Sequence, residues 1–239
     1  AVLDGDEWVI NGTKCFITNG GIAEVYTVFA TVDKSLGIKG ITCFLVERER
    51  PGISIGKHED KMGIRLSNTT EVVFEDVRIP KDHLIGEVGK GFKIAMNTLN
   101  ESRINVAAMG TGLAARALDE AIEYAKARVQ FKHPIADQPV IQQMIADMAI
   151  AVEACRQLVY HTAEVVDAGL PYTKLSSMSK CLGGDTAVRV ALDALQVLGG
   201  YGYMKEYPIE KLVRDAKIMQ IYEGTNQVQR LTIAKELLR

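Results

Sequence analysis

The chain has no apolar run near the twenty or so residues that a bilayer crossing requires, so no membrane association is expected. Its start, AVLDGDEW, has neither the basic nor the apolar segment of an export signal, and no targeting is read from it. Charge of one sign is missing too. With 28 basic residues against 30 acidic ones the net charge is −2, too weak a field to gather a phosphate backbone, so nucleic acid is not an expected partner. Cysteine is sparse: Cys15, Cys43, Cys155 and Cys181 have neither CxxC nor zinc-ligand spacing, which predicts reduced thiols in a cytosol-like compartment, no disulfide and no structural metal.

What is present is a globular composition, 47% hydrophobic over 239 residues, enough for two modest domains with cores of their own. Two periods divide the chain. As far as Pro80 the apolar residues alternate: Trp8 and Ile10 lead into an expected Asn11-Gly12 turn, then come Cys15 to Thr18 and Val25 to Val32. Further strands are expected at Ile41 to Glu47 and Glu71 to Ile79, with turns at Pro51-Gly52 and Ser67-Asn68. After Gly86 the period becomes helical. Phe92, Met96, Leu99, Arg103, Val106, Gly110, Leu113, Ala117 and Tyr124 share one stripe, and a second joins Ile141, Ile145, Met148, Val152, Cys155, Val159 and Val166, with Gly169 and Pro171 as its stop. A third helix is expected over 173–198, a short one after Pro208, and a last one after Gly224. The expected organisation is α+β, with an antiparallel β domain over residues 1–85 and an antiparallel four-helix bundle over 86–239.

Several motifs invite a function. GTGLAA at 110–115 matches a dinucleotide-binding pattern, but it sits inside a helical stripe with no strand before it, which points to close helix packing. His58, His83, His133 and His161 share no ligand spacing and no nucleophile. Arg103 lies on an apolar seam and needs something anionic or carbonyl-rich to face it, either within the bundle, as an ion pair with a carboxylate, or on a ligand. Arg128 suits a phosphate contact or an ordinary charge at a helix C-terminus. Gln196-Val197-Leu198-Gly199-Gly200 is either a tight helix exit or a place where backbone approaches a flat ligand. Glu223, before Gly224 and a capping Thr225, is either surface punctuation or a placed carboxylate.

The order of these motifs resembles the acyl-CoA dehydrogenase family, through GTKCFITNG at 12–20, KMGIRLSNTTEVVFEDVRIP at 61–80, RVQF at 128–131, QVLGGYGY at 196–203 and IYEGTNQVQR at 221–230. The resemblance covers essentially the whole chain and implies FAD-dependent desaturation of acyl-CoA thioesters between the α and β carbons. It makes Glu223 the base for the α proton, with its own backbone N–H helping to hold the thioester oxygen. It places Phe16, Ile17 and Thr18 beside the flavin ring, and Arg128, Phe131 and Gln196 to Gly200 on the FAD of a neighbouring subunit. Thr225, Asn226 and Gln227 would meet FAD at the last helix's N-terminus. Asn100, Glu101, Ser102 and Arg103, with Tyr222 and Gly224, would line the acyl-CoA side, and Arg103 would also hold the Glu223 loop.

The pattern departs from the family in places. Lys132 stands where the family has glycine after Phe131, and Pro139 where it has a glutamine that contacts FAD, leaving Gln138 to substitute. The family's N-terminal helical domain and its T-E-P-x-x-G-S-D flavin segment are not represented. The resemblance implies a homotetramer, built as a dimer of dimers, that passes electrons to an electron-transferring flavoprotein in the cytoplasm, or in the mitochondrial matrix of a eukaryote. Two alternatives stand beside it: an assembly module without a competent flavin site, and an acyl-CoA oxidase, which shares the base.

Overall fold

In the computed structural model, which describes residues 1–239, the alternating part consists of antiparallel strands. The strands are β1 (Val2–Asp4), β2 (Glu7–Thr18), β3 (Val25–Thr31), β4 (Ile41–Glu47), β5 (Ile53–His58), β6 (Thr69–Pro80) and β7 (Leu84–Ile85). One sheet runs β1-β2-β6-β5 and the other β3-β4-β7. Trp8, Ile10, Tyr26, Val28, Phe44, Val46, Val72, Phe74, Val77 and Ile79 are buried together between them. Trp8 meets Phe44 edge-on at 5.3 Å, and the buried Tyr26 hydroxyl donates to the Gly20 carbonyl at 2.6 Å.

Asn11-Gly12 does not form the expected turn. β2 runs through it, and β6 carries an extra residue opposite: Ile10 pairs with Val77, but Gly12 pairs with Phe74. Asp76 enters the left-handed region at φ 50, and Asn11 bridges to it, donating to Asp76 Oδ1 at 3.0 Å and accepting its N–H at 2.8 Å. The result is a β-bulge. It shifts the inward set on β6 from Thr70, Val72 and Phe74 to Val77 and Ile79, so both halves of the strand face the core. A side chain able to satisfy the bulge replaces the chain reversal that Asn-Gly otherwise signals. β1, β5 and β7 lie outside the strands read from the sequence.

The helical part comprises α1 (Gly91–Ala127), a hairpin of β8 (Val129–Gln130) and β9 (His133–Pro134), α2 (Pro139–Asp167), α3 (Thr173–Leu198), α4 (Ile209–Ala216) and α5 (Asn226–Leu237). α2 stops as read: Gly169 turns at φ 67, its N–H and that of Leu170 reach back to Val166 and Val165 at 2.9 and 3.1 Å, and Pro171 follows. The core is made largely of small residues, with Ala114, Ala117, Ala121 and Ala125 of α1 and Ala187, Ala191 and Ala194 of α3 all fully buried. At the tightest crossing a Cβ on Gly110 would lie 2.7 Å from the Gly183 carbonyl oxygen, and one on Gly183 would lie 2.8 Å from the Ala107 Cα. GTGLAA is thus part of a helix contact, where glycine lets two backbones touch. The chain forms two compact units, Ala1–Thr98 and Leu99–Arg239.

Candidate active site

Within the second unit, Glu223 sits between the short 3-10 turn Lys217–Gln220 and α5, in the left-handed region at φ 55, and Gly224 follows at φ 88. That conformation costs a residue with a Cβ roughly 1–2 kcal/mol, so the surroundings must hold it. Three helices do so. From α1, Ser102 donates its hydroxyl to Glu223 Oε2 at 2.6 Å and Arg103 Nε donates to the Glu223 carbonyl at 3.3 Å. From α5, Gln229 Nε2 reaches the carbonyls of Glu223 and Gly224 at 3.2 and 3.4 Å. From α3, Lys180 Nζ donates to the Gly224 carbonyl at 2.7 Å. Because trans peptides are planar, carbonyls drawn inward leave the N–H groups of Gly224 and Thr225 facing away from these donors.

The acceptors that Arg103 finds within the protein are carbonyl oxygens, one of them on the Glu223 turn. The guanidinium is 8% exposed and bonds the Glu223 carbonyl and Asn100 Oδ1, the latter at 2.7 Å. Asn100 is steadied in turn by a 3.3 Å bond to Thr173. Burial lowers the pKa of Arg103 from its ordinary value, and the Glu223 charge works against that shift. Tyr222 is half-buried, its hydroxyl donating to Met219 Sδ at 3.1 Å, and burial raises its pKa. Glu101 is exposed on α1.

Elsewhere in the second unit a cleft of about 610 Å³ gathers Arg128 with Val197, Leu198, Gly199 and Gly200. Its wall includes Tyr124 and Tyr201, and the Arg128 guanidinium lies 5.5 Å above the Tyr201 ring. Phe131 is not on that wall. It is 86% exposed at the hairpin tip, where it and Lys132 both have positive φ, 52 and 72, as a two-residue turn of type I′ demands. Gln138 starts α2 by accepting the N–H groups of Ile141 and Gln142, and Gln196 is exposed on α3. Thr225 caps α5 through the Val228 N–H at 3.3 Å, and Gln227 is exposed beside it. Asn226 is 2% exposed, and its amide is engaged inside the protein by Lys180, the Cys181 carbonyl and Asp185.

In the first unit, Ile17 and Thr18 line a separate cleft of about 300 Å³ together with Lys14, Tyr26, Val72 and Phe74. Phe16 is exposed, at φ 56, where β2 slips register against β6.

Lys180, Asp185 and Gln229 were not singled out from sequence, although they tie the Glu223 turn to the bundle. The available signal was placement. Lys180 shares a face of α3 with Ser177, Gly183, Gly184 and Ala187 at helical spacing, all of them buried.

Comparison with known proteins extends these observations. Residues 1–77 match the model of the acyl-CoA dehydrogenase middle domain, and residues 89–238 match that of the acyl-CoA dehydrogenase C-terminal domain. An acyl-CoA dehydrogenase of Bacillus subtilis is 50% identical over 238 residues, which is 100% of this chain and 63% of that protein. The structure of butyryl-CoA dehydrogenase from Megasphaera elsdenii superposes with a TM-score of 0.98 at 49% identity, covering 100% of this chain and 62% of that one. A chain from a study of the electron transferring flavoprotein of Acidaminococcus fermentans does so with a TM-score of 0.98 at 50% identity, covering 100% of this chain and 63% of its own. The chain thus spans a little under two thirds of the length of these relatives. With both domain models matched in order, and with half of its residues shared along its entire length, the chain belongs to the acyl-CoA dehydrogenase family.

Proposed function

We propose that the protein carries out α,β-dehydrogenation of an acyl-CoA thioester with FAD as cofactor, Glu223 removing the α proton. The observation that supports this best is the Glu223 turn. A half-buried carboxylate is anchored through one oxygen to Ser102 while its backbone is clamped from three helices. An α proton of a thioester is very weakly acidic, so the base must be held at one place and the developing oxygen charge must find fixed donors. In this reading the Ser102 hydroxyl aims the carboxylate, Glu223 receives the proton, and amide N–H groups of the turn, that of Glu223 among them, hold the thioester oxygen. Asn100, Glu101, Ser102 and Arg103, with Tyr222 and Gly224, line the acyl-CoA side.

The residues present fit FAD. A Cβ on Gly199 or Gly200 would meet no atom within 4 Å, so bare backbone faces open space beside the cationic Arg128. The N-terminus of α5, with Thr225 and Gln227, offers N–H groups suited to a pyrophosphate. Phe131, Gln138 and Gln196 to Gly200 would reach the FAD of a neighbouring subunit, while Phe16, Ile17 and Thr18 would stand beside a flavin ring. When bound, FAD supplies the acceptor for the hydride leaving the β carbon. We keep the domain boundary at 85/86 and assign a homotetramer. A related chain solved in a study of an electron transferring flavoprotein supports such a flavoprotein as electron acceptor. Four free cysteines, three of them buried, suit a reducing compartment such as cytoplasm or mitochondrial matrix.

The test is Glu223→Gln in the FAD-loaded full-length protein. Deuterium wash-in at the α carbon of butyryl-CoA should fall by at least about 100-fold, with flavin absorbance unchanged. Unaltered wash-in removes the assignment, and colourless protein that refuses added FAD supports a non-catalytic module instead.

A further inference from the structure

The reaction described above leaves Lys180 without a role. Its side chain is fully buried, at 0% exposure, on the small-residue face of α3. A buried ammonium is ordinarily paired with a carboxylate. Here both hydrogen-bonded acceptors are neutral: the Gly224 carbonyl at 2.7 Å and Asn226 Oδ1 at 2.9 Å. The bonds continue outward, because Asn226 Nδ2 donates to the Cys181 carbonyl at 3.1 Å and to Asp185 Oδ1 at 2.8 Å, and Arg230 Nη2 donates to Asp185 Oδ2 at 2.6 Å. A methionine would fill the same volume without a buried charge. What the ammonium adds is a grip on backbone.

That grip falls at a specific place. Arg103 and Gln229 fix the peptide plane that follows Glu223, and Lys180, backed by Gln229, fixes the next one. Between the two planes lies Gly224, which left alone adopts either sign of φ with ease. Fixing both planes prevents Gly224 from flipping and Glu223 from relaxing out of its left-handed conformation. We propose that Lys180 is a positioning residue for proton abstraction: by pinning the Gly224 carbonyl and Asn226, it keeps the Glu223 carboxylate on Ser102 and the amide face of the turn toward substrate. This inference rests on the reading of Glu223 as the base.

The test is Lys180→Met in the FAD-loaded full-length protein, read in two ways. Deuterium wash-in at the α carbon of saturating butyryl-CoA should slow about 100-fold, as for a group displaced by about an ångström, while KM stays within about threefold and flavin content is unchanged. Backbone amide exchange should accelerate about tenfold or more over residues 221–228 and remain as in the parent protein along the rest of α1 and α3. Lys180→Gln, which keeps an N–H donor of shorter reach, should give the same local pattern more mildly, and it serves if Lys180→Met does not fold. Unchanged exchange over 221–228 overturns the proposal. So does loosening spread evenly through the bundle in both variants, which would make Lys180 a general packing residue. If Glu223→Gln retains wash-in while Lys180→Met still loosens the turn, the assignment of the base fails and the clamp stands.

Discussion

Between the two sheets the core sets four rings, Trp8, Tyr26, Phe44 and Phe74, among aliphatic side chains, whereas along α1 and α3 it is rich in alanine and glycine. Charged groups divide in the same way. Arg78 of the strand unit pairs with Asp4 and Glu7 at the surface, while the helical unit buries Arg103 and Lys180. Rings fill volume and keep backbones apart, so the strand core is held by area removed from water. Small residues bring backbones into contact, and polar side chains can then reach main-chain carbonyls in the interior. A turn governed through its carbonyls belongs in the second kind of core, and the Glu223 turn is found there.

The contrast can be broken most forcefully at Phe44, which is fully buried. Phe44→Ala should cost about 4 kcal/mol in urea unfolding, whereas Ala191→Gly on α3 should cost only about 1 kcal/mol. Comparable losses would mean that the two cores do not differ in kind. A somewhat smaller effect concerns pH. Burial, acting with Arg103 and against Cys181, Asp185 and Glu223, holds the Lys180 ammonium at about 8, below the ordinary lysine value near 10.5. Between those values the unfolded chain carries a proton that the folded one lacks, so Lys180 makes stability rise as pH climbs from about 8 to about 10.5. The stability difference between the parent protein and Lys180→Met should therefore change by up to about 3 kcal/mol across that window and stay flat below pH 7. A flat difference throughout would show that Lys180 is not desolvated as its burial implies.

The smallest effect is a gain. Lys132 occupies a left-handed position at the β8–β9 tip without burial to favour it. Lys132→Gly should raise stability by about 0.5–1 kcal/mol, seen as a higher Tm. A drop would indicate that the Lys132 side chain makes contacts that outweigh its backbone strain.

How much of this was legible followed from the range of each signal. The helices were readable because their punctuation is local: Gly169 and Pro171 close α2, Gly199 turns at φ 58 to end α3, and Thr225 caps α5. Asn11-Gly12 misled because its outcome depends on Asp76, a residue 65 positions away. β5 went unread because Gly56 interrupts its alternation, opposite the Glu71 side chain of the neighbouring strand. At the site, the position of Glu223 came from motif order and the need of Arg103 for a partner from its seam. Which partner Arg103 would choose, and the presence of Lys180 opposite, depend on helices meeting at Gly110 and Gly183, a contact set by three-dimensional packing alone.

α3 also acts as a ruler. It presents Lys180 to the Glu223 turn and, 17 residues later, Val197 to the Arg128 cleft, a spacing of about 26 Å at 1.5 Å per residue. A helix wedged against its neighbour at Gly183 cannot slide without backbone collision. Both anchors therefore belong to one rod, and its length fixes how far apart they stand.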